Sequence, residues 1–327
     1  MPYNTSGQIL TPPPWRFPSG NIPSNRRPGP STRDRESSRE EPLLKAPPFA
    51  YARARSLAEV FDLLDAHGEK AKLLAGGQSL LATLNMRLSS PELLIDISRL
   101  NDLSGISVRD GTVTIGALTT HAQIERSAEI RKHLLLLAHA APHIAHPAIR
   151  NVGTIGGSLA LADPAAEWPA CCIALDAQIV VAGKKGARKI VAREFFKGLY
   201  ATALRPGEVL THVEIPVPGP EYRSAFVELA QRRGDYAIVG LAAVARPARG
   251  ALSDVRLAFF GVGTTPVLAR KAMAAMEGKR ASDDAVAAST KALANDLDPM
   301  ADLYSTAATK MHLARVLTGR ALTSLAA

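Results

Sequence analysis

Two glycine-rich turns constrain this chain more than any other feature. The first, Ala75-Gly76-Gly77-Gln78-Ser79, follows a short apolar run ending in Leu73-Leu74. The second, Gly153-Thr154-Ile155-Gly156-Gly157-Ser158, follows Arg150-Asn151-Val152. Glycine lets backbone N–H groups approach an anion with no Cβ in the way. Successive N–H groups in such turns form anion-binding concavities. Ser79, Thr154 and Ser158 add hydroxyl groups. Two turns of this kind would clamp a pyrophosphate from opposite sides. Taken singly, each is equally compatible with a tight connection between elements. Neither has the G-x-G-x-x-G spacing of a dinucleotide-binding Rossmann unit or the G-K-[ST] ending of a P-loop, which disfavours the usual NAD and ATP readings.

Around these turns the chain of 327 residues divides into a tail and about two domains. Eleven of the 23 prolines fall in the first 50 residues, where hydrophobic periodicity is absent. Residues 1–46 are therefore expected to be a disordered tail or an extended strap. Order begins near Pro47. Ser56 reads as a helix N-cap, with Leu57, Val60, Phe61, Leu63 and Leu64 on one face and Gly68 as the stop. A helix over 80–87 and a buried strand over 93–97 follow the first turn. The alternation over 106–117, with Asp110-Gly111 at its centre, predicts a hairpin. Helices are expected from Thr120, over 133–143 and over 165–175. Strands are expected over 177–181, 189–191 and 209–215. Pro216-Val217-Pro218-Gly219-Pro220 reads as a boundary near residue 220. Beyond it, three strands (225–229, 237–245, 255–262) and three helices (267–276, 282–293, 304–322) predict a separate α+β domain.

Composition removes several function classes. No run of eighteen apolar residues is present, so a transmembrane helix is not expected. The start lacks an apolar h-region, so no signal peptide is expected. Arg26-Arg27 precedes Pro28-Gly29-Pro30-Ser31 and does not read as a twin-arginine signal. The two cysteines, Cys171 and Cys172, are adjacent and build no disulfide framework, which points to the cytoplasm. They are too few to ligate an iron–sulfur cluster and read as small buried hydrophobes. The net charge is +9, yet no basic run is interleaved with aromatics, so nucleic acid is not an expected partner. The densest basic patch, Lys184, Lys185, Arg188 and Lys189, reads as a solvated hairpin turn. His121, His139, His143 and His146 crowd one region without metal-binding spacing and are expected to pack or face solvent. No Ser–His–Asp set or catalytic carboxylate pair stands out, and no metal site is expected.

Together the two turns carry a family resemblance. Leu73-Leu74-Ala75-Gly76-Gly77-Gln78-Ser79-Leu80 resembles the A-G-G-[HQ]-S-L stretch, and Ile149-Arg150-Asn151-Val152-Gly153-Thr154-Ile155-Gly156-Gly157-Ser158 the I-R-N-x-G-T-I-G-G-N stretch, of the FAD-binding medium subunit of molybdenum hydroxylases. That family includes the flavoprotein subunit of aerobic carbon monoxide dehydrogenase and the FAD domain of xanthine dehydrogenase. Asp163-Pro164-Ala165-Ala166-Glu167-Trp168-Pro169 resembles its D-P-x-x-D-x-P, and Arg233-Gly234-Asp235-Tyr236-Ala237 the start of its C-terminal domain. Phe195-Phe196-Lys197-Gly198 and Arg315-Val316-Leu317 fit further motifs. The resemblance covers about residues 47–325.

The resemblance implies an α+β fold: a two-lobed FAD-binding domain of the vanillyl-alcohol-oxidase/p-cresol-methylhydroxylase type over 47–220, then a smaller domain over 221–327 with a three-stranded antiparallel sheet and helices. It implies non-covalent FAD, with Leu74, Ala75, Gly76, Gly77, Gln78, Ser79, Thr154, Ile155, Gly156, Gly157 and Ser158 at the pyrophosphate and ribityl. Glu167, where the family often has Asp, would accept from an FAD hydroxyl, and Asp163 of the same motif would also be a cofactor-binding residue; Ser158 replaces the usual Asn. Tyr200 and Leu210 would lie near the isoalloxazine ring, and Asp235 would approach it from the C-terminal domain. Other readings stand beside these: Asp163 as the cap of the next helix, Glu167 as a solvated helix residue, Tyr200 as ordinary core, Asp235 as a turn residue. The implied partners are a molybdopterin-binding large subunit and a small subunit with two [2Fe–2S] clusters, in a dimer of heterotrimers. A self-contained flavoenzyme of the same superfamily and a flavin-free scaffold are the alternatives.

Overall fold

The computed structural model describes residues 46–327. The strap expected over 1–46 lies outside the described residues, save its last position. Three short strands form a parallel sheet in which Leu93–Asp96 lies between Ala50–Arg53 and Ala71–Leu74. All four residues of the central strand are buried, which is why they read as an unbroken apolar run. The helix Leu57–His67 makes the crossover from the first strand. Ser56 caps it as expected, its side chain accepting from the Glu59 N–H at 3.2 Å, and Gly68 ends it at φ 55°.

A five-stranded antiparallel sheet follows, in the order Ile106–Arg109, Thr112–Gly116, Val209–Pro216, Gln178–Gly183, Gly186–Val191. The first hairpin turns on Asp110 and Gly111, both at positive φ (48° and 71°), as the D-G pair predicts. The basic turn at Lys184 is not merely solvated. The Lys184 ammonium lies 2.8 Å from both Asp62 and Asp65 of the first helix, and Arg188 makes a two-pronged pair with Glu208 at 2.7 and 2.6 Å. The helix expected over 133–143 is broken. Ala128–His133, capped by Ser127, ends at Leu134; Leu135–Ala140 then runs into a 3₁₀ turn, Ala141–His143, that contains Pro142.

The last third forms the antiparallel sheet Arg223–Ala230, Ala237–Ala248, Ala251–Phe260, covered by the helices Arg270–Met276, Asp283–Ala292 and Ala307–Ala326. A two-residue strand, Val267–Leu268, joins as a fourth and delays the first of these helices to Arg270. The β-branched Val267 pairs with Phe259 there, so strand pairing overrides the helical reading. The middle strand is buried on both faces. Val239, Leu241, Ala243 and Ala245 enter the core beneath the C-terminal helices, whereas Ala242 and Val244 enter the core that holds Trp168.

That second face meets the helix Glu167–Ala174, all eight of whose residues are buried. A helix apolar on every side needs cover all round. Here the C-terminal sheet supplies one side, and the helices Leu135–Ala140 and Ile155–Leu161 supply others. Cys171 and Cys172 lie on it as free, fully buried thiols, and burial pushes the Cys172 thiol up to about 12. Trp168 is fully buried at its first turn; replacing such a side chain by Ala typically costs about 3–5 kcal/mol. Among the described residues, no helix is long and apolar enough to cross a membrane.

Candidate functional site

The first glycine turn sits between the strand Ala71–Leu74 and the helix Leu80–Asn85. Leu74 closes the strand opposite Asp96. Gly77 adopts φ 68°, a left-handed conformation that suits glycine. The Gln78 side chain folds back to donate to the Gly76 carbonyl at 3.2 Å. Ser79 precedes the helix without a capping hydrogen bond from its side chain. Among the described residues, the backbone N–H groups of Gly76, Gly77, Gln78 and Ser79 donate to no protein acceptor. Ala75 and the glycines are half-buried. Four successive donors without acceptors, at the mouth of a helix, form a concavity suited to phosphate oxygens.

The second turn packs directly against the first. A Cβ on Gly76 would sit 2.2 Å from the Val152 carbonyl oxygen, so only glycine permits this approach. The second turn is held from behind. Thr154 is buried and caps the helix Ile155–Leu161, its Oγ1 accepting from the Gly157 N–H at 3.0 Å. The Ile155 N–H donates to Thr119 O at 3.1 Å, the Gly156 N–H to Ala117 O at 2.9 Å and the Ser158 N–H to Thr154 O at 3.0 Å. Gly156 is pressed so closely on Ala117 that a Cβ would lie 2.5 Å from the Ala117 Cβ. Gly157 is exposed and Ser158 half-buried.

Two side chains that sequence reasoning left out of the site hold the second turn in place. Arg150 is buried and donates to Glu125 at 2.9 Å and to the carbonyls of Ile144 (3.0 Å) and Ala145 (2.8 Å). The His121 backbone N–H donates to Gly153 O at 2.9 Å and its ring packs against Gly153, while its Nδ1 accepts from the Trp168 indole N–H at 2.9 Å. Burial, with Arg150 nearby, lowers the His121 imidazole to about 4, so the ring is neutral and serves as an acceptor. The capping pattern at Thr120 was a legible signal here; the Trp168 partner, 47 residues away, was not.

Beyond the second turn lies an acidic, aromatic rim. Asp163 does not cap the next helix. Its Oδ1 accepts from the Ala165 N–H at 2.9 Å, while the cap position belongs to Ala166. Glu167 is not a solvated helix residue: it is buried, and that burial, with Asp163 adding repulsion, raises its carboxyl to about 7. Tyr200 is exposed at φ 53°, not core, and partial desolvation of its phenol, with Asp163 and Tyr236 nearby, raises it. Tyr236 is likewise exposed and senses Asp163 and Glu167. Asp163, Glu167, Tyr200 and Tyr236 thus share one neighbourhood. Asp235 lies in the neighbouring turn, its N–H donating to Arg232 O at 3.1 Å. Gly234 beside it comes so close to Ala145 that a Cβ would lie 2.8 Å from its carbonyl oxygen. Leu210 is buried in the five-stranded sheet at a shift in register and faces its core.

Residues 47–218 match the family described as the FAD binding domain in molybdopterin dehydrogenase, and residues 224–325 match the CO dehydrogenase flavoprotein C-terminal domain. The chain belongs to this family of FAD-binding flavoproteins. It is 39% identical to the 6-hydroxypseudooxynicotine dehydrogenase complex subunit alpha of Paenarthrobacter nicotinovorans, over 85% of this chain and 95% of that one. Its fold superimposes on a chain of carbon monoxide dehydrogenase from Hydrogenophaga pseudoflava with a TM-score of 0.84 at 38% identity, covering 86% of this chain and 98% of the other. A chain of quinoline 2-oxidoreductase from Pseudomonas putida 86 matches with a TM-score of 0.82 at 35% identity and the same coverage. The mixed α+β architecture and the family expected from the two turns are both borne out. The residues that line the first turn fit the chemistry of the cofactor the family implies, because four adjacent backbone donors there lack protein acceptors.

Proposed function

We propose that the chain binds FAD non-covalently and serves as the medium, flavin-carrying subunit of a molybdenum hydroxylase. The observation that carries this reading is the first glycine turn, with its row of backbone donors set against the second turn, in a chain that matches the family across both of its halves. When bound, FAD would supply the redox chemistry between the [2Fe–2S] clusters of a small subunit and an external acceptor. This chain's own part is to bind, orient and shield the cofactor. Gly76, Gly77, Gln78 and Ser79 offer N–H donors to the pyrophosphate. Gly157 and Ser158 form the facing wall, with Thr154, Ile155 and Gly156 as its buried support. Glu167 accepts from a cofactor hydroxyl, with Asp163 beside it. Tyr200, Tyr236 and Asp235 border the ring, and Leu210 supports that end from the sheet.

In the same reading, residues 47–220 hold the cofactor and residues 221–327 close over it. Substrate oxidation belongs to a molybdopterin-binding large subunit, which also sets the choice of organic substrate. A dimer of heterotrimers in the cytoplasm is the assembly proposed. Support for the cytoplasm comes from two buried, reduced cysteines. The test is an absorbance spectrum of the purified chain, alone and co-expressed with a large and a small subunit, with the released cofactor identified after acid precipitation. FAD in the supernatant, and iron–sulfur absorbance only on co-expression, is the expected result. No flavin in either preparation overturns the reading.

A further inference from the structure

We infer that Lys310 is a positioning residue of the cofactor site: from the last helix, and through Gly261, it fixes the Pro164 carbonyl and with it the loop that carries Asp163 and Glu167. The inference rests on the reading of this region as an FAD site.

Lys310 lies on the helix Ala307–Ala326 and is buried. A lysine is seldom buried unless its ammonium is partnered. Two groups meet this one. Asp302 Oδ2 lies 2.8 Å away, and the Gly261 carbonyl accepts from Nζ at 3.1 Å. Asp302 is itself fixed, its Oδ1 accepting from the Tyr304 and Ser305 N–H groups at 2.8 Å each. The ammonium is thus anchored on one side and donates to the backbone on the other. A hydrogen bond from a charged donor is stronger than one between neutral groups. Gly261 is the residue that needs such a bond. It follows the strand Ala251–Phe260 at φ 76°, where a Cβ would lie 2.7 Å from the Ile238 carbonyl oxygen. A glycine backbone is the least restricted of all, so outside contacts must hold it in one direction. Held there, the Gly261 N–H donates to Pro164 O at 2.8 Å.

Pro164 stands between the two carboxyl residues. Among the described residues, the other hydrogen bonds of the loop are local: the Ala165 N–H donates to Asp163 Oδ1 at 2.9 Å and the Ala166 N–H to Asp163 O at 3.1 Å. They shape the loop without tying it to the C-terminal sheet. The bond from Gly261 does that, just ahead of Glu167. The helix Glu167–Ala174 is pinned at its other end as well. Arg256 donates from Nη1 to Ala174 O at 3.3 Å and lies 2.7 Å from Asp176 and 2.9 Å from Asp254. The two cations therefore act on opposite ends of one buried helix of eight residues, about 12 Å apart along its axis. Lys310 acts on the end that bears the carboxyls and Arg256 on the far end, so the pair separates positioning from general stabilisation.

The test uses the full-length chain as wild type, Lys310→Met, Lys310→Arg and Arg256→Met. Methionine keeps an apolar stem but has no donor, and arginine restores one. Without cofactor, amide hydrogen exchange followed by mass spectrometry should be faster in Lys310→Met over peptides that contain Gly261, while peptides of the strand Ala237–Ala248 exchange as in the wild type. Lys310→Arg should restore the slow exchange. With cofactor, fluorescence titration should show FAD bound roughly tenfold more weakly by Lys310→Met, and to within about threefold of the wild type by Lys310→Arg. At saturation, the visible circular dichroism of the flavin should change in Lys310→Met. Arg256→Met should lower the melting temperature yet leave that dichroism as in the wild type. Unchanged exchange at Gly261 in Lys310→Met shows that the tether does not exist. Wild-type affinity and dichroism in Lys310→Met, or the same dichroic change in Arg256→Met, makes Lys310 a structural support alone and overturns the inference. Should Lys310→Met not fold, Asp302→Asn, which loosens the anchor of the ammonium, should shift exchange and affinity the same way by a smaller factor, and no shift overturns the inference. If the wild type binds no FAD, the flavin reading itself fails, and the exchange measurement still decides whether Lys310 holds Gly261.

Discussion

In the turn 75–79 the backbone N–H groups of Gly76 to Ser79 find no protein acceptor, whereas in the turn 153–158 those of Ile155, Gly156, Gly157 and Ser158 are all taken by the protein itself. The two stretches look alike as sequence: each has paired glycines, a hydroxyl residue and a helix to follow. Their glycines nevertheless answer different physical demands. Gly77 permits a left-handed backbone that leaves donors open, and Gly156 permits a helix to press on Ala117. Gly76 does a third thing, bringing one turn against the other. A glycine pair in a sequence therefore signals close approach, but not whether a ligand or the protein is what approaches.

The largest expected effect comes from closing the gap between the turns. Gly76→Val forces side-chain atoms against the Val152 carbonyl, which is backbone and cannot swing aside. Purified protein should carry no flavin by absorbance, and overpacking should lower stability by about 1–3 kcal/mol. Gly156→Ala should cost a similar amount of stability in thermal melts, yet the folded fraction should retain flavin near the wild-type ratio. Loss of flavin from a stable Gly156→Ala protein would break the contrast.

The hydroxyl residues sharpen it further. Thr154 is a cap, so Thr154→Ala should cost about 1 kcal/mol of stability by denaturant unfolding, with Thr154→Ser restoring most of it. Ser79 makes no cap bond. Ser79→Ala should change stability by less than about 0.5 kcal/mol but weaken FAD by roughly the tenfold at most that one hydrogen bond of about 1 kcal/mol represents. The two substitutions should thus exchange places between a melt and a binding isotherm.

A separate expected effect is a pH dependence behind the second turn. The folded-state value of His121, about 4, lies below its ordinary 6.5. Between those values the unfolded chain binds more protons than the folded one, so stability is fully present above pH 6.5 and is lost as pH falls toward 4. Urea unfolding followed by Trp fluorescence should show this acid limb, and His121→Asn, which retains an acceptor for the Trp168 N–H, should flatten it. An acid limb unaltered in that variant would assign the loss to other groups.

Much of the fold was legible because its signals are local. The Ser56 and Thr120 caps, the Asp110-Gly111 turn and the alternation over 106–117 act through atoms a few residues apart, and each appears where the sequence places it. The helix over 133–143 was misread in part, because apolar spacing does not reveal the break at Leu134. Val267–Leu268 was read as helix because its strand partner, Phe259, lies on a different element.

By itself, then, the sequence determined the elements, their caps and turns, and the family that the two glycine stretches announce, since propensity, capping and glycine's missing Cβ are properties of neighbouring residues. Only the tertiary structure decided which turn keeps its donors open and which closes on the protein, that Glu167 is buried, and that Arg150 and His121 hold the second turn from behind. Those outcomes depend on burial and on partners far away in the chain, and the cost of a buried charge or an unmet donor exists only once the distant surface arrives to exclude water.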